Sequence, residues 1–359
     1  MRRIFVTDCE GPISKNDNAF ELAQKLIPEG ARLFTLISKY DDIQAEIVRR
    51  PGYRPGDTLK LIIPFLKAYG ATNDILRRLS TEDMILVKGA KDTLYLIRRH
   101  MPSFIVSTSY EHYIQPLCKL IDFPEDHTYC TKLDIDRFTI PDWEAECLRN
   151  WTGKLVRLSP PNIPASANSI SDLSREDREK IAFLDKIFWE EMQRMTVGNI
   201  LKGIRPIGGI EKVESVRDIV NKHDSDVGKI IYFGDSITDS EPLKYVRNHG
   251  GVAVSFNGNE YAVREAELAI LSDHTLVTGV FALAFNKGGI DAVRNLVTDW
   301  NYENILQIIN GELRPKLQDA YKNKLPHVEI VSESNKKRLI EESCAFRKKV
   351  RGEIVGSLG

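Results

Sequence analysis

The sequence predicts an α/β fold: a Rossmann-like, doubly wound, mostly parallel sheet with helices on both faces. Three observations predict it. Short β-branched and aromatic runs alternate with longer amphipathic stretches, the pattern of a parallel sheet with crossover helices. Two of those runs, RIFVT and GKIIYFG, end directly on an acid, Asp8 and Asp235. A third, SFIV, ends on the hydroxyl cluster Ser107, Thr108 and Ser109. In such sheets ligands bind outside the carboxyl ends of the strands, where these polar residues fall.

The elements follow in order. Residues 3–7 form a buried strand, and Gly11 and Pro12 in CEGPIS turn the chain. Apolar residues three and four apart then predict helices from about 18 to 82, punctuated by PGYRPGD, with Pro64 kinking or splitting its helix. A turn at Gly89 precedes an amphipathic helix, and PSFIVSTS is the next strand. A helix over 111–120 and a strand in HTYCTKLDI come after it. Residues 158–174, rich in Pro, Ser and Asn, read as a loop or an insertion boundary. Residues 175–201 read as one charged amphipathic helix. A further helix over 211–222 follows the Gly208-Gly209 turn. GKIIYFGDS, GVAVSFN and LAILS complete the strands. Residues 291–359 read as helical and highly charged; the clusters at 336–338 and 347–349 are expected on a solvated helix face, with docking to an acidic partner as the alternative.

Composition narrows the function. The 359 residues are 42% hydrophobic and 28% charged, enough for a sizeable core. The charges balance, 50 basic against 51 acidic, which argues against a nucleic-acid binder working by bulk charge. No apolar run is expected to approach the roughly 18 residues of a membrane span, and MRRIFVT reaches Asp8 too soon for a signal-peptide core. The cysteines, Cys9, Cys118, Cys130, Cys147 and Cys344, are scattered, odd in number and form no CxxC. A soluble protein of a reducing cytoplasm is the expectation.

Four polar features could act together: Asp8 with Glu10, Ser107, Lys212, and Asp235 with Asp239. Asp8, Asp235 and Asp239 offer hard oxygen ligands that suit Mg2+. Three carboxylates in one pocket repel unless a cation or basic neighbour compensates, and Lys212 would supply part of that charge. A phosphate could then sit between metal, lysine and the Ser107 hydroxyl, helped by backbone N–H groups of the turns after Asp8 and Ser107.

These residues carry a resemblance. The chain resembles the haloacid dehalogenase-like (HAD) superfamily, of the phosphatase type. FVTDCEGP is similar to its first motif, FIVSTS to its second, the lysine of GGIEKVESV to its third and YFGDSITD to its fourth; LVKGAKDTLYLI resembles the lead-in to the second. Lys202 competes with Lys212 for the third motif. The chain also resembles uncharacterised archaeal HAD-like proteins, some linked to hydrogenase complexes. The resemblance implies a core over 1–14 and 85–290, with a second insertion at about 135–200, a helical cap over 15–84 and a helical C-terminal extension over 291–359.

It further implies a Mg2+-dependent phosphatase acting on a small phosphorylated metabolite. Asp8 would be the nucleophile, forming an aspartyl-phosphate. Asp8, the Glu10 carbonyl and Asp235 would hold Mg2+, with Asp239 a ligand or an anchor for one. Ser107, Thr108 and Lys212 would bind phosphoryl oxygens. Glu10 stands where the family usually has Asp, and would act as acid and base, one methylene longer. DxEG also resembles the motif of enolase-phosphatases and of the phosphoserine:homoserine phosphotransferase, so transfer to a second alcohol stays open. Tyr53, Arg54 and Lys60 in the cap could read an anionic group of the substrate, and Asn257 could orient Asp8 or Lys212; Cys9 is expected to pack.

The expected partner is the small substrate, with neither nucleic acid nor membrane; a homodimer or a protein complex stays open. The reading of a different class is a phosphate sensor or accessory subunit. A receiver-type phosphoacceptor is disfavoured by the long insertion after the first strand, and a dehalogenase by the metal-ligand acids.

Overall fold

The computed structural model describes residues 2–164, 167–309, 313–321 and 324–358, with backbone alone at 313. Its strands are β1 (Ile4–Thr7), β2 (Ser103–Tyr110), β3 (Thr128–Thr131), β4 (Ile230–Gly234), β5 (Val252–Phe256), β6 (Leu268–Leu271) and β7 (His327–Ile330). Among the described residues they form one sheet of seven strands in the order β3-β2-β1-β4-β5-β6-β7. Every neighbouring pair is parallel except β6 with β7. The chain leaves β1 for β2 and β3 on one side and returns to β4 on the other. The strand order therefore reverses between β1 and β4, where a ligand crevice opens in sheets of this kind.

Between β1 and β2 lie α1 (Asn18–Leu26), α2 (Gly30–Asp42), α3 (Thr58–Ala68), α4 (Asn73–Glu82) and α5 (Ala90–Arg98); α6 (Glu111–Ile121) joins β2 to β3. Between β3 and β4 lie α7 (Asp142–Leu155), α8 (Arg175–Asp185), α9 (Gly198–Gly203) and α10 (Ile210–Lys222). Then come α11 (Ser240–Asn248), α12 (Glu260–Glu265), α13 (Leu276–Thr298), α14 (Tyr302–Ile308), α15 (Leu313–Tyr321) and, after β7, α16 (Lys336–Arg351).

Strand alternation decides which side chain meets which layer. Phe5, Ile105, Phe233 and Val254 pack with α5, α6 and α13. Ile4, Val6, Phe104, Val106 and Tyr232 pack with α10, α11 and α12. The helices between β1 and β2 join those of the segment after β3 in a separate apolar cluster: Leu22, Tyr40 and Phe65 with Leu148, Ile181 and Phe188. Leu358 is buried in that same cluster.

Several elements differ from the sequence expectation. Helix α3 runs through Pro64 without splitting. Residues 175–201 are not one helix. The chain leaves α8 through wider and tighter turns, is extended at Met195, and restarts as α9. Glu144 of α7 takes the backbone N–H groups of Thr196 and Val197, at 2.6 and 2.8 Å, so the break leaves those donors satisfied. The hydroxyl cluster lies at the end of β2, as the sequence predicts, but the strand has a register irregularity against β3 between Val106 and Tyr110. The C-terminal extension is not purely helical, since β7 adds an antiparallel edge to the sheet beyond LAILS. Helix α13 is long and apolar, with a mean hydropathy of 1.3 over its best window. It is nonetheless interrupted at Gly289, and Phe281 and Phe285 lie in the core of the sheet layer.

Candidate active site

Strand β1 delivers Asp8 to the reversal point. Thr7 pairs with Ile105 on one side and Phe233 on the other, and the Asp8 N–H continues the ladder to the Phe233 carbonyl at 2.8 Å. The chain must then turn at once, because the carboxylate after β4 stands beside it. Gly11 has φ +103°, and a Cβ there would lie 2.0 Å from Asp235 Oδ2. Only glycine allows that approach.

The Asp8 carboxylate is fixed from two sides. Oδ1 accepts the Cys9 N–H at 2.6 Å, and Oδ2 lies 2.9 Å from Lys212 Nζ. Lys212 stands in the first turn of α10, fully buried, and also donates to Asp239 Oδ1 at 2.8 Å. That Asp239 oxygen accepts the Tyr232 hydroxyl at 2.8 Å as well, while its Oδ2 takes the backbone N–H groups of Asp235 and Ser236 at 3.0 and 3.2 Å. Asp239 thus closes the turn after β4 in a reciprocal cap with Ser236. Its oxygens are so fully engaged that it holds its neighbours in place.

One ammonium serves two buried carboxylates, and their titration divides accordingly. Burial works against the Asp239 charge, yet Lys212 and the surrounding donors hold its pKa below the ordinary value. Burial pushes Asp8 up to about 7, against the pull of Lys212 and with Asp239 and Asp235 adding to the rise. Burial also opposes the Lys212 charge, but Asp239 and Asp8 outweigh it, so its pKa stands above that of a free lysine. The family-derived role of Lys212 as a direct phosphate ligand is not apparent in this arrangement. The side chain stands behind Asp8 and is not among the residues lining the cavity.

Glu10 turns its Oε1 to the N–H of Asn18 at 2.7 Å, at the start of α1. Burial and then Asp17 raise its pKa well above the ordinary carboxylate value, while that N–H and Arg351 oppose the shift. The Ser107 hydroxyl is 3.2 Å from the Ser109 hydroxyl and accepts the Ser109 N–H. Thr108 Oγ1 is buried with no hydrogen-bond partner among the described residues. Asp8, Glu10, Ser107, Thr108 and Asp235 share one cavity of about 80 Å³, closed on the other side by residues of α2, α3 and the turn between them. By the space one water requires, that is room for on the order of half a dozen waters. Gly56, at φ +93° in that turn, presses against Thr108 and Thr238, 3.0 Å from where its Cβ would be.

The sequence reading missed what holds Asp235. Its Oδ2 accepts Nη1 of Arg347 and, at 3.1 Å, Nη1 of Arg351. Arg347 Nη1 also reaches the Asp235 carbonyl at 3.1 Å. Arg351 Nε bonds the Lys15 carbonyl at 3.2 Å, and its Nη2 bonds that of Asn16. The expectation that the 347–349 cluster is a solvated face is therefore corrected at Arg347, which is 2% exposed. A trace was present in the sequence: Leu339, Ser343, Arg347 and Arg351 recur every fourth residue, one face of a helix that begins apolar.

Other candidates do not join the site. Lys202 is exposed on α9. Asn257 donates to the Ser272 carbonyl at 2.7 Å and accepts its N–H at 2.9 Å, tying β5 to the loop after β6 rather than orienting Asp8 or Lys212. Tyr53, Arg54 and Lys60 are each paired with an acid of the chain itself: Asp41, Glu211 and Asp57. Cys9 packs in the core, as expected.

Asp8, Asp235 and Asp239 each place one ligand oxygen within 4.8 Å of the other two. Hard oxygens so clustered fit a divalent cation of the Mg2+ type. Since Asp239 is engaged as an anchor, Asp8 and Asp235 are the carboxylates that fit as ligands.

The reversed strand order, the helical segment after β1 and the four sequence motifs gathered at one rim of the sheet agree with the resemblance to HAD-like proteins carried by the sequence. Over its whole length the structure is similar to gene product AF1437 from Archaeoglobus fulgidus. The TM-score is 0.81 at 26% identity, covering 100% of this chain and 99% of that one. Phosphoserine phosphatase in apo form aligns over 75% of this chain and 93% of its own, with a TM-score of 0.41 at 9% identity. A HAD family hydrolase from Salmonella enterica subsp. enterica serovar Typhi covers 77% of this chain and 69% of its own, with a TM-score of 0.44 at 13% identity. At those scores the last two likenesses decide nothing. No family model matches the chain, and neither does any curated protein.

Proposed function

We propose that the protein is a Mg2+-dependent phosphatase of a small phosphorylated metabolite, working through an aspartyl-phosphate on Asp8. The observation that carries this reading is the Asp8 carboxylate itself: buried, aimed by the Cys9 N–H and Lys212, and on the wall of a cavity shared with Glu10, Thr108 and Asp235. Asp8, Asp235 and the Glu10 carbonyl are the groups that would hold Mg2+, whose chemistry when bound is to offset charge on the phosphoryl oxygens.

Asp8 attacks phosphorus, forming a P–O bond to its carboxylate as the bond to the alkoxide breaks. Glu10, whose burial favours the protonated form, gives its proton to that alkoxide. It then takes a proton from the water that attacks the aspartyl-phosphate, and Asp8 is regenerated with release of phosphate. Thr108, with a free buried hydroxyl, would donate to a phosphoryl oxygen, and Lys212 keeps the Asp8 region from accumulating uncompensated charge. Residues of α2, α3 and their connecting turn cover one side of the cavity and limit its exchange with bulk water.

The test is phosphate release from p-nitrophenyl phosphate and a panel of phosphorylated metabolites, with and without Mg2+. The expected result is Mg2+-dependent release that falls by about 1,000-fold or more in Asp8→Asn, the scale of losing a nucleophile. Release that persists in Asp8→Asn, or needs no divalent cation, overturns the reading. Release accelerated by an added alcohol marks transfer to a second acceptor. One observation favours a non-catalytic sensor or accessory subunit instead: the cavity is small and two arginines already occupy Asp235 Oδ2. Its mark is the absence of turnover on every substrate.

A further inference from the structure

We propose that Arg347 and Arg351 are built-in competitors of the divalent cation for Asp235, so that loading the site with metal requires α16 to yield. The inference rests on the metal-dependent reading above.

The geometry is specific. Both guanidinium groups bond the same carboxylate oxygen, Asp235 Oδ2, and their side chains are only 3 and 4% exposed. A cation bound through that oxygen would share it with two fixed positive charges, in a setting where water screens little. The two arginines meet a real demand. The cavity wall carries Asp8, Glu10, Asp17, Asp41 and Asp235 against only these two cations. With no divalent ion in place, buried carboxylates so crowded need positive partners from the chain.

The two arginines are not equally committed. Arg351 is also tied to the backbone carbonyls of Lys15 and Asn16, in the segment that follows Glu10. Arg347 has one backbone acceptor, the Asp235 carbonyl at 3.1 Å, so its bonds all fall on Asp235 itself. Its Nε is buried with no hydrogen-bond partner among the described residues. Arg347 is the partner a metal ion would replace, and Arg351 the tether that keeps α16 near the site.

The attachment of α16 allows such a shift. Leu339 and the half-buried Ile340 place it in a small apolar cluster with Val263, Ala269 and Val331. Ser343 bonds the Gly258 carbonyl at 2.6 Å, and Arg338 bonds Glu329 of β7 at 2.7 Å. An element held by a small apolar cluster and a few polar bonds is of the kind that opens locally. A ligand that binds only the opened form draws the population toward it.

The experiment is calorimetric titration of the full chain with Mn2+ alone, in wild type, Arg347→Met and Asp235→Asn. Methionine keeps much of the arginine's apolar bulk and removes its charge. The competition predicts that Arg347→Met binds Mn2+ at least ten-fold more tightly than wild type, and that Asp235→Asn abolishes binding. Equal or weaker binding by Arg347→Met, with Asp235→Asn still abolishing it, overturns the competition and leaves the metal-dependent reading standing. No Mn2+ binding by wild type or Arg347→Met overturns both. Hydrogen exchange of the wild-type chain needs no variant to fold: saturating Mn2+ should speed exchange across 336–351, and unchanged or slower exchange there overturns the proposal.

Discussion

A single ammonium between two buried carboxylates is a costly arrangement to interrupt. Lys212 bonds Asp8 and Asp239 at 2.9 and 2.8 Å with no exposed surface of its own. Removing one partner of a buried ion pair leaves the other charge unpaired, which destabilises by about 3–5 kcal/mol. Lys212→Met should show a loss of that size in urea unfolding, and a loss under about 1 kcal/mol would refute the account of Lys212 as the central cation. The acids and Lys212 were legible in the sequence because each sits at a strand end or a helix start, where local pattern decides position. Arg347 was not legible. Its partner lies 112 residues earlier, and a basic cluster on a helix ordinarily faces solvent.

Among elements, the contact of α2 with the turn before α3 is governed by one buried acid. Asp41, near the end of α2, accepts the Tyr53 hydroxyl at 2.6 Å and the Gly56 N–H at 2.8 Å, pinning the turn that closes the cavity. Burial pushes its pKa from 3.8 up to about 8, with Asp57 adding to the rise and Tyr53 opposing it. Between those values the unfolded chain has released this proton while the folded chain keeps it. The folded state then binds more protons, and stability declines as pH rises from about 4 to about 8, becoming level above that. One proton corresponds to a slope of at most about 1.4 kcal/mol per pH unit. Asp41→Asn should flatten this part of the pH–stability curve in urea unfolding; an unchanged slope would rule Asp41 out as its source. Strands β4, β5 and β6 were readable as compact apolar runs. Strand β7, HVEI, was not, since it is a short edge strand whose pairing with β6 depends on tertiary placement rather than on a run of apolar residues.

At the scale of the molecule, two segments far apart in sequence share one apolar cluster above the strand ends. Phe188 joins them: its ring stacks on Tyr40 of α2 at 5.7 Å and meets Phe65 of α3 edge-on at 6.2 Å. Truncating a buried phenylalanine destabilises by about 3–5 kcal/mol through lost burial and the cavity left behind. Phe188→Ala should therefore let α1–α3 and α7–α9 open together, ahead of the sheet, in native-state hydrogen exchange. Uniform protection across both layers would contradict this division. The sequence predicts insertions after β1 and after β3, but nothing local could show that these segments pack on each other, because their pairing is written in matching surfaces and not in spacing.

The order of synthesis has a consequence for Asp235. At about 5–20 residues per second, the ribosome needs roughly 6 to 22 s to go from residue 235 to the arginine 112 positions later. For that interval, in which β5, β6 and β7 are themselves being made, a nascent chain that has already paired β1, β2 and β4 would hold a crowd of acids without Arg347 or Arg351 to quiet them. A divalent ion present in the surrounding fluid would then meet those acids before their own chain could reach them.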